Sequence, residues 1–159
     1  MIRAATVADV PQVARLQARA WRRAYADVVD PDAMPEPSLF EERWRTRMAD
    51  GEREAWVFDQ DGIVAGFVMV GPSGVPGGEG ELHALYVDPA AQGAGVGSAL
   101  LDHGEDRLRA AGHARAGLWV FDANAHGREF YERRGWVAVG EPVRHEGWSA
   151  PGLRYERDL

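Results

Sequence analysis

With 159 residues, of which 18 are basic and 25 acidic, the chain has a net charge of −7. That balance repels nucleic acid and anionic membrane, which are bound through Lys and Arg; it serves solubility first, and also suits a cationic acceptor such as an amine. There is no cysteine, which excludes thiol catalysis, disulfides and cysteine-based zinc sites.

Apolar residues at 45% and charged residues at 27% are those of an ordinary globular protein, and the length is that of one domain with a sizeable core. The opening segment MIRAATVADV has no basic stretch leading into an apolar run. No segment approaches the eighteen or so apolar residues of a membrane span, and no internal repeat is visible. The expectation is one cytoplasmic domain over residues 1–159.

In chain order, Ile2–Ala5 reads as a short strand and Thr6 as an N-cap, with Asp9 in place of the glutamate of a capping box. Val10, Val13, Leu16, Ala20, Trp21 and Ala24 recur at three- and four-residue steps, the mark of an amphipathic helix. After the proline-punctuated stretch Asp30–Pro37, a second helix is predicted from Ser38 to about Ala49, with Leu39, Phe40, Trp44 and Met48 toward the core. Ala55–Phe58 and Ile63–Val70 read as a hairpin joined through Asp59–Gly62. The run Gly71–Gly80 is a loop by composition. A strand, Glu81–Val87, leads through glycines into a helix from about Gly95 to Ala111. Then come a strand over Gly117–Phe121, a helix from about Ala125 to Arg134, and closing strands at Trp136–Val139 and Leu153–Arg157. The order β-α-α-β-β-β-α-β-α-β-β implies an α/β fold, a mixed sheet with helices on both faces.

The informative stretch is Gly80–Leu101. Asp88-Pro89 ends the strand, because proline has no N–H for the ladder and restrains the residue before it. Gln92–Gly97 then supplies three glycines on alternate positions, which let backbone approach a ligand closely. The helix that follows turns its free N–H groups and positive dipole end into the loop, an arrangement that binds phosphate without basic side chains. A plain strand-to-helix connection is one reading. A dinucleotide (NAD(P)) site of Rossmann type is another, with Gly93, Gly95 and Ser98 at the fingerprint positions and Asp122 ending the next strand. Against it, Asp88–Gln92 intervene between strand and glycines, and a hairpin precedes them.

The third reading is a resemblance. Gln92–Gly97 is similar to the acetyl-CoA pyrophosphate loop of the GCN5-related N-acetyltransferase (GNAT) superfamily, written Q/R-x-x-G-x-G/A. ELHALYVDP resembles that family's fourth strand, and Asn124–Trp136 its following conserved block. The resemblance covers nearly the whole chain and implies the GNAT fold with acetyl-CoA as co-substrate and no metal. It implies that the backbone amides of Gly93, Ala94, Gly95, Val96, Gly97 and Ser98 hold the pyrophosphate, with Gln92 at the Q/R position. It implies that the backbones of Leu85, Tyr86 and Val87 pair with the pantetheine arm, that Asn124 bonds the same arm, and that the fourth and fifth strands splay around it. Tyr131 matches the tyrosine beside the thioester sulfur, a proton donor, with Phe130 expected to point inward instead.

The family's fourth strand carries a bulge, and a slip in parity hints at one here: Leu82 is even-numbered, Leu85 and Val87 odd, although Leu82, Ala84 and Tyr86 also alternate. Glu81 is the first candidate for the base, with Glu79 and His83 as alternatives. Some relatives use no dedicated base. The acceptor walls fall at Tyr25–Ser38, Pro72–Gly80 and Glu141–Gly152, with Tyr25, Asp27, Asp30, Asp32, Glu36, His145, Glu146 and Trp148 among them. The implied activity is transfer of acetyl from acetyl-CoA to a primary amine of a small molecule or peptide, with a homodimer possible. A non-catalytic acyl-CoA-binding module is the alternative.

Overall fold

The computed structural model describes residues 1–26, 30, 32, 34–74, 79–146, 148 and 150–159. The elements occur in the expected order. They are β1 (Ile2–Ala4), α1 (Val10–Tyr25), α2 (Pro37–Ala49), β2 (Glu54–Gln60), β3 (Ile63–Pro72) and β4 (Gly80–Val87), then α3 (Val96–Ala110), β5 (Arg115–Phe121), α4 (Ala125–Arg133), β6 (Val137–Val143) and β7 (Gly152–Asp158). Seven strands form one sheet ordered β1-β2-β3-β4-β5-β7-β6. All neighbours are antiparallel except β4 and β5. A single parallel pair inside an antiparallel meander is not a doubly wound parallel sheet, so the Rossmann reading of the glycine loop does not hold.

Local chemistry explains the starts and turns. The Asp9 carboxylate accepts from the Thr6 N–H at 2.7 Å, as a capping box requires, and takes both arms of the Arg3 guanidinium at 2.8 and 2.9 Å. Arg3 Nε also donates to Asp59 at 2.8 Å, so one arginine ties β1, the α1 start and the β2–β3 turn together. The hairpin connection is shorter than expected, because Asp61 and Gly62 both adopt positive φ (54° and 87°) and let the strands run on to Gln60 and Ile63.

The sheet buries a core on each face. On one face, α1 and α2 bring Val13, Leu16, Phe40 and Trp44 against Val57, Phe67, Met69 and Ala84. On the other, α3 brings Val96, Leu100, Leu101 and Leu108 against Val68, Val70, Leu82 and Leu118, joined by Tyr131 and Trp136. Leu39, predicted for the core, is exposed, because Phe40 and Trp44 set the buried stripe of α2 one residue further round the helix. The C-terminal end of α1 departs from the prediction more informatively. Ala20, Trp21 and Ala24 line a cavity beside β4, with Trp21 packed on the edge of the core and Ala24 exposed.

Candidate active site

The cavity exists because β4 and β5 stop pairing. Their ladder holds only at Gly80–Ala116, Glu81–Gly117 and Leu82–Leu118. Beyond Leu82 the strands part, leaving the β5-facing edge of β4 without a strand partner among the described residues. At the same point the β3–β4 register slips by one residue: Met69 faces Ala84 while Val70 faces Leu82, so His83 is an extra, bulged residue. The bulge resolves the parity question. Leu82, Leu85 and Val87 pack on the α3 side, whereas Ala84 and Tyr86 pack on the α1–α2 side. The opening is a cavity of about 800 Å³, lined by β4 and β5, the glycine loop, α1, α2 and α4.

At one end of this cavity lies the loop. Asp88 closes β4 by accepting from the Ala90 N–H at 3.0 Å and is itself held by Arg19. Gly93 and Gly95 have φ of 81° and 82°, a left-handed conformation that strains any residue with a Cβ. The first amides of α3, at Val96, Gly97 and Ser98, make no backbone hydrogen bond among the described residues, as helix starts dictate. Gln92, Gly93, Gly95, Gly97 and Ser98 line the cavity with Leu85, Tyr86 and Val87. The side chains of Ala94 and Val96 do not: Ala94 is exposed, and Val96 is buried in the α3 core.

Asn124 caps α4, its Oδ1 accepting from the Gly127 N–H at 2.9 Å, and lines the cavity. A Cβ on Gly127 would sit 2.7 Å from Asn124 Nδ2, so that glycine leaves room for the amide. Tyr131 and Phe130 both line the cavity with their rings 5.2 Å apart. The two do not divide as expected, since Phe130 lines the cavity as well. Tyr131 is the buried one, at 8% exposure, while Phe130 is half-buried against Gly97. The reason is that α4 lies over the gap between β4 and β5, so adjacent helical positions both reach it. Burial, then the neighbouring hydroxyls of Tyr86 and Tyr25, raise the Tyr131 pKa above its ordinary value.

Glu81 lines the cavity where the ladder ends, 3.3 Å from Arg154 Nη1. Arg154 is 9% exposed, stacks on Trp119 at 5.5 Å from the ring centre, and approaches Glu79 and Glu156 at 3.8 Å. It lies over Gly117, where a Cβ would fall 1.9 Å from its Nη2. His83 donates from Nε2 to the Pro72 carbonyl at 3.1 Å, which leaves Nδ1 as the acceptor, 4.0 Å from Glu81. Desolvation first, then the charge of Arg53, pushes the imidazole pKa down to about 4.

Comparison with known proteins decides what this arrangement belongs to. Residues 12–136 match the acetyltransferase (GNAT) family. The chain belongs to the GNAT acetyltransferases. It is 32% identical over 127 residues to the uncharacterised N-acetyltransferase YuaI of Bacillus subtilis, covering 77% of this chain and 72% of that protein. Its fold is similar to that of the PaiA N-acetyltransferase of Thermoplasma acidophilum, solved in complex with coenzyme A (TM-score 0.79, 18% identity, 100% and 98% of the two chains). It is also similar to the Salmonella typhimurium acetyltransferase yncA, solved with acetyl-CoA (TM-score 0.74, 22% identity, 100% and 93% of the two chains).

In this GNAT chain the residues expected at the acceptor walls meet the cavity only in part. Tyr25 and Trp148 line it, and His145 stacks on Trp119 and Trp148 at 4.4 and 4.7 Å. Asp30, Asp32, Glu36 and Glu146 are exposed and lie outside the lining, and Asp27 lies outside the described residues. Sequence reasoning missed Arg43, Arg47, Arg53, Trp119 and Phe121, all of which line the cavity, and Arg154 behind Glu81. Arg43 and Arg47 stand one helical turn apart beside the buried Trp44, a spacing that in the sequence alone does not differ from that of a solvated helix face. Among the described residues no helix is long and apolar enough to cross a membrane.

Proposed function

We propose that the chain transfers the acetyl group of acetyl-CoA to a primary amine. One observation carries the reading: the β4–β5 ladder ends at Leu82–Leu118, leaving a cleft between the free N-terminus of α3 and the Tyr131 hydroxyl. The residues present fit the cofactor. Gly93 and Gly95 keep side chains away from the α3 amides, which would receive the pyrophosphate. The unpaired edge of β4 offers main-chain groups to the amide-bearing arm, and Asn124 offers its side-chain amide. Coenzyme A in the Thermoplasma neighbour and acetyl-CoA in the Salmonella one support the same ligand.

Acetyl-CoA supplies an activated thioester, at whose carbonyl carbon a C–N bond forms as the C–S bond breaks. An amide of the bulged segment Leu85–Val87 would donate to the carbonyl oxygen as it gains charge. Tyr131, kept protonated by its raised pKa, would give its proton to the leaving sulfur. Glu81, directly or through water, would take the proton the amine loses; Arg154 holds that carboxylate toward the cavity. His83, with a pKa pushed down to about 4, is a weak base near neutral pH.

The test is thiol release from acetyl-CoA with and without added amines, read with a thiol reagent against a chain that has no cysteine of its own. Release that requires an amine, with acetylated amine formed in equal amount, supports the transferase. Acetyl-CoA binding without release under any amine points instead to a module that binds acyl-CoA and does not turn it over.

A further inference from the structure

The cavity carries a charge opposite to that of the molecule. The chain as a whole is at −7, yet Arg43, Arg47 and Arg53 line the cavity while Glu81 is its one acidic lining residue among those described. Glu81 is already paired with Arg154. Arg43 and Arg47 stand one turn apart on α2, and Arg53 follows in the turn into β2. Most arginines of this chain are tied to a carboxylate, Arg53 to Asp50 among them. Arg43 and Arg47 have no carboxylate within 4.0 Å among the described residues; Arg47 only lies over the Trp44 ring at 5.2 Å.

Their position separates them from the phosphate end. Arg47 and Arg53 act on His83, the bulged residue, and Arg43 and Arg47 act on Tyr86. The glycine loop begins past the end of β4, and His83 to Val87 spans on the order of 13 Å at the usual rise of a strand. Asp50 offsets Arg53 and its charge reaches Arg47, but one carboxylate beside three guanidiniums leaves them repelling one another. Desolvation first, then Arg53 and Arg43, lower the proton affinity of Arg47. An anion arriving between Arg43 and Arg47 relieves that repulsion and accepts hydrogen bonds from both forks.

We infer that the acceptor is a small amine that also carries an anionic group, a carboxylate or a phosphonate, and that Arg43 and Arg47 receive this group while the amine faces Glu81 and the bulge of β4. This builds on the acetyl-transfer reading. Trp119, Phe121 and Trp148 supply the apolar wall beside it, so the chemistry is that of a free amino acid or an aminophosphonate, bound through both ends. A simple alkylamine brings Arg43 and Arg47 no anion.

The experiment measures thiol release at saturating acetyl-CoA with matched sets: phenylalanine, methionine and glutamate, each beside its carboxamide and its decarboxylated amine, and aminomethylphosphonate beside methylamine. The carboxamide amine is the less basic and so the more available for attack, which makes the comparison conservative. The expected result is a kcat/KM for the anionic member roughly tenfold or more above its neutral partners. That preference should collapse in Arg43→Met/Arg47→Met while the KM for acetyl-CoA stays unchanged. A carboxylate or a phosphonate as the better member identifies the source of the anion. Equal turnover of anionic and neutral amines overturns the inference and leaves acetyl transfer standing. So does a double variant that loses acetyl-CoA affinity instead, since the arginines then serve the cofactor phosphates. If acetyl-CoA binds but no member of any set is acetylated, the transfer reading fails and this inference with it.

Discussion

In the proposed transfer Tyr131 and Glu81 divide the proton chemistry between them, and their surroundings differ accordingly. The Tyr131 hydroxyl is buried on α4 with aromatic rings around it, Phe130 at 5.2 Å and Trp136 at 6.1 Å, and burial keeps it protonated. Glu81 has a charged partner in Arg154. Removing the hydroxyl alone should therefore act on the step in which sulfur leaves, and hardly on binding. Tyr131→Phe is expected to lower kcat by roughly a hundredfold with little change in the KM for acetyl-CoA, read from initial rates of thiol release. Retained turnover would place the proton donor elsewhere. Asn124 and Tyr131 were legible in the sequence because they lie in one short helical block, Asn124–Trp136, whose spacing is fixed by α4 alone. Arg154 was not. It meets Glu81 across 73 positions of sequence, and only the β5–β7 pairing, which sets Arg154 opposite Trp119, brings it there.

β4 and the start of α3 act as one element of the site. The bulge at His83 turns the edge of β4 out of register with β5, and the loop then aims the α3 amides into the opening. The bulge left a trace in the sequence because an extra residue changes the parity of the core-facing positions, from Leu82 to Leu85 and Val87. Arg43 and Arg47 left none that could be told from a solvated helix face, since arginines on an exposed stripe of α2 read as solubility until the cavity beside them is known. The loop permits a test confined to the element. At Gly95, φ is 82° and no atom lies within 4 Å of an added Cβ, so a side chain there meets backbone strain and open ligand space rather than a packed wall. Gly95→Val is expected to fold, at a cost of about 1 kcal/mol in stability, and to lose acetyl-CoA binding in titration calorimetry. Unchanged affinity would remove the loop from the site.

Across the whole molecule, the sheet joins two cores, and the ion-pair cluster at the β1 end ties the α1 side to the first hairpin. Arg3, with Thr6, holds the Asp9 carboxyl down at about 2 from an ordinary 3.8. A carboxyl lowered on folding contributes stability that is fully present above its unfolded value and is lost as pH falls through its folded one. The contribution, on the order of 2 kcal/mol, should be intact at pH 5 and above and disappear between about pH 4 and pH 2. In urea titrations Arg3→Met should flatten the pH dependence across that window; an unaltered slope would show that other carboxyls set it. The element order and the mixed sheet were readable from periodicity and turn chemistry. The identity of an acceptor was not, because the cavity is walled by α1, α2, β5 and the segment before β7, which approach each other only in the folded chain.

Whether the cleft opened between β4 and β5 holds acetyl-CoA can be read from a thermal-shift comparison of acetyl-CoA, coenzyme A and NADPH. A ligand bound only by the native state adds roughly 2.7 kcal/mol at a hundred times its Kd. A clear rise in Tm is expected with acetyl-CoA and with coenzyme A, none with NADPH, and no rise in Gly95→Val with any of them. A wild-type Tm unmoved by acetyl-CoA, or raised by NADPH instead, would rule the cleft out as that site.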